Sequence, residues 1–150
     1  MWAQDEHRLG LLPVVRRIWA PRGSRPTAPV RRRFRWLYVY GFVRPATGAT
    51  WWCLLPTVRA DAFALALAAF ARDEGIDPVF LPAYSPELQP AERLWGLVDE
   101  AVANRVFPDL DALERTLVAR CRTLRGQRRR VKRRTRYHWW PRERRPRNPK

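Results

Sequence analysis

The chain has 150 residues and a formal net charge of +16, from 30 Lys and Arg against 14 Asp and Glu. Hydrophobic residues make up 46% and charged residues 29%, which excludes wholesale disorder and allows one domain with its own core. The longest uncharged apolar run, about 36–43, is far below the ~20 residues of a membrane-spanning helix, so we expect a cytoplasmic protein with no membrane partner. A protein this basic tends to bind a polyanion.

The positive charge is concentrated in two segments. Residues 16–35 hold eight arginines and no acid, and residues 125–150 hold 13 Lys and Arg against one acid. The first segment could follow a DNA backbone, although a run of charge is as often a solvated surface. The arginine run 128–134 is expected to be disordered on its own and to bind nucleic acid without sequence preference. The candidate DNA-binding residues are Arg16, Arg17, Arg22, Arg25, Arg31, Arg32 and Arg33.

The first half of the chain predicts three strands. A short strand over 2–7 is followed by a loop over 10–29 that prolines punctuate. The aromatic and β-branched run 34–43 predicts a strand covered on both faces. The turn 45–48 joins it in a hairpin to a third strand over 50–55.

The next part predicts a helix and a short strand. Asp61 can cap an alanine-rich helix that ends before Gly75. The run 78–82 is typical of a very short buried strand.

Two further helices complete the predicted body. Pro90 suits the first turn of a helix that reaches about Val106. Asp109 or Asp111 caps a last helix. The order of elements indicates a mixed α/β domain over residues 1–124, followed by a basic C-terminal tail over 125–150. Within the tail the aromatic group 137–141 could dock on the body.

Two carboxylates are the candidates for chemistry. Asp5 lies in the first strand, and alternation directs its neighbour Glu6 to the opposite face. Glu92 lies in the first turn of the helix after Pro90, where the helix dipole favours an ionised carboxylate by about 0.3–1 kcal/mol. Position alone favours a stabilising charge over a metal ligand.

The sequence around both carboxylates resembles a known family. Residues 4–11 (QDEHRLGL), with 17–23 (RIWAPRG), resemble the first acidic block of the DDE transposases of bacterial insertion sequences, in the IS-six-thirty/mariner group. Residues 81–95 (LPAYSPELQPAERLW) resemble the block that carries the last acid of that triad, and this match is long and specific. Segments 104–107, 110–113 and 137–141 also resemble the family's C-terminal half, so the resemblance covers most of the chain.

The resemblance implies a ribonuclease H-like (integrase-type) α/β fold, a mixed sheet with flanking helices that opens with a three-stranded antiparallel meander. It implies Asp5 as the first and Glu92 as the last catalytic ligand of Mg²⁺ or Mn²⁺. The implied function is DNA transposition, by metal-dependent cleavage of a DNA phosphodiester and strand transfer. Two metal ions about 3.5–4 Å apart, held by several carboxylates, serve such chemistry. DNA is the implied partner, with a homodimer as in related transposases.

The sequence departs from the family at one important point. After the alanine-rich helix the family has a buried central strand that ends in the second catalytic aspartate. Here residues 73–78 separate that helix from the next predicted strand, and they reach about 20 Å at most and hold no apolar run. Asp73 and Asp77 occupy positions typical of solvated turn acids, which makes them poor substitutes. The family's N-terminal helix-turn-helix region has no counterpart either.

We therefore expect a truncated, internally deleted DDE domain that lacks its central strand and middle acid and no longer catalyses. One alternative is a non-enzymatic basic DNA-binding protein that acts through residues 16–35 and the tail. A small basic RNA-associated structural protein would account for the tail but would leave the block at 85–95 unexplained.

Overall fold

Three antiparallel strands form the sheet at the centre of the protein. The computed structural model describes residues 1–27, 30, 33–77, 79 and 88–141. The strands are β1 (Ala3–Gly10), β2 (Trp36–Arg44) and β3 (Ala49–Leu55), in the spatial order β1-β2-β3. The predicted antiparallel meander is thus confirmed, with its hairpin turn at 45–48.

Strand β2, the middle one of the three observed strands, is buried on both faces, as its aromatic and β-branched composition predicts. Because side chains alternate along a strand, Val39 and Val43 face one side of the sheet while Tyr40 and Phe42 face the other. Each pair belongs to a separate apolar cluster. The sheet therefore divides the described part of the protein into two apolar layers.

Four helices cover the two faces. They are α1 (Ala60–Glu74), α2 (Glu92–Asp99), α3 (Leu110–Gly126) and α4 (Arg128–Thr135). Helix α1 packs through Phe70 on the face of Tyr40 and Phe42, whereas α2, α3 and α4 contribute to the cluster on the face of Val39 and Val43. Among the described residues, no helix combines the length and the apolar character needed to cross a bilayer.

The helix N-termini correct one predicted cap and decide between two others. The N-cap of α1 is Arg59, not Asp61; the Asp61 carboxylate accepts the neighbouring Ala62 N–H and pairs with the Arg59 guanidinium at 3.3 Å. At α3 the N-cap is Asp109, whose carboxylate accepts the N–H of Ala112 at 2.7 Å. Asp109 sits in extended backbone, which aims its side chain at the free amides of the first turn.

Helix α2 is shorter than the predicted helix that reaches about Val106. It ends at Asp99, and the next amides bond three residues back, from Ala101 to the oxygen of Val98 and from Val102 to the oxygen of Asp99. Asn104 then takes a left-handed backbone conformation with φ of 58°. The tightened turn and the left-handed residue stop the helix despite the continuing apolar pattern.

The predicted buried strand over 78–82 is wrong at Val79, which is 90% exposed and outside any strand. Residues 78 and 80–82 lie outside the described residues. In the sequence, Pro78 and Pro82 flank residues 79–81, and a proline lacks the N–H that hydrogen bonding within a sheet needs. Asp77 adds a charge next to Pro78. At Val79, the apolar character of the sequence is therefore a poor guide to burial.

The arginine run at the start of the tail is a helix, not a disordered segment. Helix α4 buries Val131 and Thr135 completely, and the Thr135 hydroxyl donates to the Val131 carbonyl. Beyond it, Trp140 packs on the same apolar cluster, and the guanidinium of Arg93 lies 3.8 Å from the ring centroid of Tyr137. The predicted docking of the aromatic group on the body is confirmed. The burial of these two side chains contributes to ordering a helix that is otherwise almost entirely basic.

Candidate functional site

Asp5 lies on β1, on the face of the sheet that packs against α2. Its carboxylate Oδ2 accepts a hydrogen bond from the indole N–H of Trp95 at 2.7 Å. The neighbouring Glu6 is exposed, and its charge acts on Tyr40, which belongs to the α1 face. The predicted separation of Asp5 and Glu6 to opposite faces is thus observed.

Glu92 is placed near Asp5 by the start of α2. Trp95, which binds Asp5, follows Glu92 by three residues, so the two side chains lie on one face of the helix. Just before α2, the side-chain amide of Gln89 donates to the backbone carbonyl of Gln4 at 2.6 Å. Two hydrogen bonds therefore fix the first turn of α2 against β1, and they bring the two candidate carboxylates to the same side of the molecule.

Gly41 makes room for this contact. It pairs with Asp5 in the register of β1 and β2. A Cβ atom at Gly41 would lie 2.9 Å from the Trp95 ring and 3.0 Å from the Trp52 ring. Sequence reasoning did not single out Gly41, although a glycine inside an otherwise aromatic strand is a typical sign of close approach by a neighbour.

The environment of Asp5 favours its protonated form. Burial raises the pKa of the Asp5 carboxyl above its ordinary value of 3.8; the bonds from Trp95 and the Glu6 amide oppose this, and the charges of Glu6 and Glu92 add to it. An acid with a raised folded-state pKa stabilises the fold when protonated, and this contribution is lost as the pH rises through that pKa. The ionised form of Asp5 therefore destabilises the fold, and a cation bound beside it would offset that cost.

A second polar group extends from this site along α2. The His7 ring stacks on Trp95 with centroids 4.9 Å apart, and its Nε2 lies 2.9 Å from Asp99 Oδ1. The Arg16 guanidinium donates to the Gly96 carbonyl at 3.1 Å and to Asp99 Oδ2 at 3.4 Å. No pattern in the sequence indicates these pairings. The stacking of His7 on Trp95 is a second contact, in addition to the bond to Asp5, that positions the indole ring.

No third acid joins the pair within the described residues. The Asp73 carboxylate accepts the indole N–H of Trp51 at 3.0 Å, and Trp51 packs in the cluster on the α1 face, across the sheet from Asp5. Asp77 is exposed. The described residues contain no group of three or more His, Cys, Asp or Glu side chains that could hold a metal ion.

Two carboxylates fit one divalent cation but not two. Mg²⁺ is often held by one or two carboxylates, with water and substrate phosphates completing its shell. A pair of ions about 3.5–4 Å apart needs further shared ligands. One Asp5 oxygen is already engaged by Trp95. The donor set therefore supports a single, weak Mg²⁺ or Mn²⁺ site.

The predicted DNA-binding arginines differ in their surroundings. Arg16 is engaged with α2, and Arg33 donates to the Pro108 carbonyl at 2.9 Å. Arg17, Arg22 and Arg25 are exposed. Arg31 and Arg32 lie outside the described residues.

Comparison with known sequences identifies relatives of the chain. Residues 65–114, which include Glu92 but not Asp5, match the family model described as DDE superfamily endonuclease. An uncharacterised protein of Sinorhizobium fredii, y4pE/y4sA, is 30% identical over 102 residues, covering 51% of this chain and 76% of the relative.

Solved structures share the fold. The mariner Mos1 paired end complex with Mg has a TM-score of 0.53 at 17% identity, over 91% of this chain and 56% of that one. The Mos1 mariner paired end complex with Mn and the Mos1 strand transfer complex both have a TM-score of 0.51 at 14% identity. Both matches cover 91% of this chain, and they cover 56% and 55% of the respective Mos1 chains. This chain therefore spans little more than half the length of these transposase chains. The described chain thus has a ribonuclease H-like fold in common with these transposase structures, and its residues 65–114 match the DDE superfamily endonuclease model.

Proposed function

We propose that this chain is a transposase domain in which Asp5 and Glu92 occupy the places of the first and last metal ligands while the middle acid is missing. The observation that carries the proposal is the hydrogen bond from Trp95 to Asp5. It places Asp5 beside the turn that bears Glu92, at a site where the described residues offer no third carboxylate.

The match to the rhizobial protein supports an internal deletion. It extends over 102 residues but includes only 51% of this chain's 150 residues, about 77, so part of the matched span has no counterpart here. Between α1 and α2, the described residues 75–77, 79 and 88–91 form no strand. We place the lost strand and its aspartate in this interval.

The missing acid predicts a loss of catalysis. A divalent cation at such a site would stabilise charge on the attacking and leaving oxygens of a phosphodiester. Asp5 and Glu92 can hold one cation and orient it, but they cannot hold a second ion through a shared ligand. The proposed function is therefore that of a transposase-derived domain that engages DNA without cutting it.

DNA is the proposed partner. The solved relatives are described as paired end and strand transfer complexes, and this chain exposes Arg17, Arg22 and Arg25 beside its body. We further propose a ribonuclease H-like unit over 1–124 and a basic segment over 125–150 that packs on it through α4, acting in the cytoplasm, with homodimerisation as in related transposases. The alternative drawn from the sequence, a non-enzymatic protein that binds DNA through residues 16–35 and the tail, is supported by the same exposed arginines.

A plasmid-nicking assay tests the proposal. Supercoiled plasmid incubated with the protein and Mn²⁺ should stay supercoiled, at the level seen with the double variant Asp5→Asn/Glu92→Gln. Gel electrophoresis of the plasmid topoisomers gives the readout. Nicking by the wild-type protein that disappears in the double variant would show that two acids suffice, and the proposed inactivity would be wrong.

A further inference from the structure

A strongly basic cleft lies between α2 and α4. It has a volume of about 910 Å³, and five of its lining residues are arginines, with Glu100 as the one lining acid. Arg16 comes from the segment between β1 and β2, and the other four arginines come from α4. Two parts of the sequence that are far apart therefore supply one site. The arginines are Arg16, Arg129, Arg130, Arg133 and Arg134.

Gly96 forms the floor of this cleft. A Cβ atom built there would lie 3.3 Å from a terminal nitrogen of Arg134 and 3.8 Å from one of Arg16. The two guanidinium groups thus approach the backbone of α2 from different segments of the chain. Their like charges converge at one point of the surface, where Asp99 pairs with Arg16 and no described acid pairs with Arg134.

Part of the positive charge is neutralised within the protein, and part is not. Glu100 binds Arg130 at 2.7 Å and also binds Arg120, while Asp99 binds Arg16. Arg129, Arg133 and Arg134 form no ion pair with the acids in the part of the chain that the structure describes. These three arginines are available to an anionic ligand.

The cleft lies close to the carboxylate pair. Gly96 follows Glu92 by four residues, so both lie on one face of α2, about 6 Å apart along its axis. Phosphates of one DNA strand advance about 3.4 Å along the helix axis per nucleotide. If the DNA axis runs along α2, phosphates in the cleft would lie about two nucleotides from Glu92.

We propose that this cleft binds consecutive phosphates of a DNA backbone and aligns the strand with the Asp5–Glu92 site. The inference deepens the proposed function and rests on DNA being the partner. Guanidinium groups suit phosphate because their donors are planar and always charged. The arginines of α4 thus form one wall of a specific binding site, and they also add to the overall positive charge.

The test measures DNA binding against salt for two matched double variants. Arg133→Gln/Arg134→Gln removes two charges from the cleft. Arg122→Gln/Arg125→Gln removes two charges from exposed positions of α3 outside the cleft. Fluorescence anisotropy with a labelled 30-base-pair duplex gives the association constant at several salt concentrations, and circular dichroism melts establish that each variant is folded.

The cleft variant should bind about tenfold more weakly at 0.15 M salt and lose about two units of the slope of log K against log salt. The control should change affinity by less than about threefold. If both variants bind the duplex equally well, the proposal that this cleft is the DNA-binding site is wrong, although the protein still binds DNA. If the wild-type protein does not bind the duplex, the proposed partner itself is wrong. If poly-glutamate competes as well as unlabelled duplex, the cleft accepts any polyanion, and its assignment to DNA fails.

If the glutamine pair unfolds, the single variants Arg129→Gln and Arg122→Gln replace the pairs. Arg129 lies at the exposed rim of the cleft, and Arg122 is exposed on α3. About a threefold loss of affinity for the first, with little change for the second, is then expected. Equal losses would overturn the proposal.

Discussion

Substituting Gly48 by alanine should destabilise the protein by about 4 kcal/mol and release α4 from the sheet. Gly48 closes the β2–β3 hairpin with φ of 76°, a conformation that side chains rarely adopt. A Cβ atom there would lie 2.0 Å from the Arg128 carbonyl oxygen and 2.9 Å from the Lys132 nitrogen, both backbone atoms of α4. Thermal unfolding should shift downward by on the order of 10 °C.

Gly23→Ala is the matched control for Gly48→Ala. Gly23 also has a positive φ, of 85°, but no atom lies within 4 Å of the Cβ position. This variant isolates the backbone strain and should cost no more than about 1–2 kcal/mol. Equal losses in the two variants would mean that α4 does not pack tightly on the hairpin, and the arginine cleft would lose its second wall.

Substituting Gly41 by alanine should cost about 2 kcal/mol and displace the Trp95 indole from Asp5. The new methyl group would meet the rings of Trp95 and Trp52 and the Leu94 side chain at 2.9, 3.0 and 3.3 Å. The melting temperature should fall by about 6 °C. The indole N–H resonance of Trp95, recorded by two-dimensional NMR, should shift as its bond to Asp5 is lost.

Gly126→Ala is the control for Gly41→Ala. Gly126 is the last residue of α3, and its Cβ position is open space. Alanine there should raise stability by about 0.5–1 kcal/mol through helix propensity and a restricted unfolded chain. If Gly41→Ala also raised stability and left the Trp95 resonance in place, the packing of α2 on β1 described here would be wrong.

The sheet could be predicted from sequence because its signal is local. The aromatic run of β2, the turn at 45–48 and the following strand each carry their own pattern, and the structure confirms the hairpin. The run 78–82 has a similar apolar pattern, yet Val79 is exposed. Burial there requires a neighbouring strand or helix, and a short sequence pattern holds no information about that neighbour.

The candidate site could be predicted only in outline. Asp5 and Glu92 were identified through the family resemblance, and their roles as metal ligands remain predictions. The contacts that join β1 to α2 pass through Trp95, Gln89 and His7, whose partners lie about 90 residues away in sequence. Such pairs leave no local periodicity, so only the folded chain shows them.

The folding of the arginine run has a similar explanation. The composition of 128–134 predicts an unstructured, solvated segment. Its helix depends on the burial of Val131 and Thr135 against the sheet and on the absence of a side chain at Gly48. The burial of two side chains four residues apart, on one face of the helix, thus outweighs the strongly basic composition of the segment.

A Mn²⁺ titration followed by electron paramagnetic resonance measures whether Asp5 and Glu92 bind a divalent cation. We predict one weak Mn²⁺ site per chain, lost in Asp5→Asn and in Glu92→Gln. The site should persist in Glu6→Gln, which removes the same charge one residue away on the opposite face of β1. Two tightly bound ions per chain, or binding that survives both Asp5→Asn and Glu92→Gln, would contradict the claim that these two carboxylates are what remains of the metal centre.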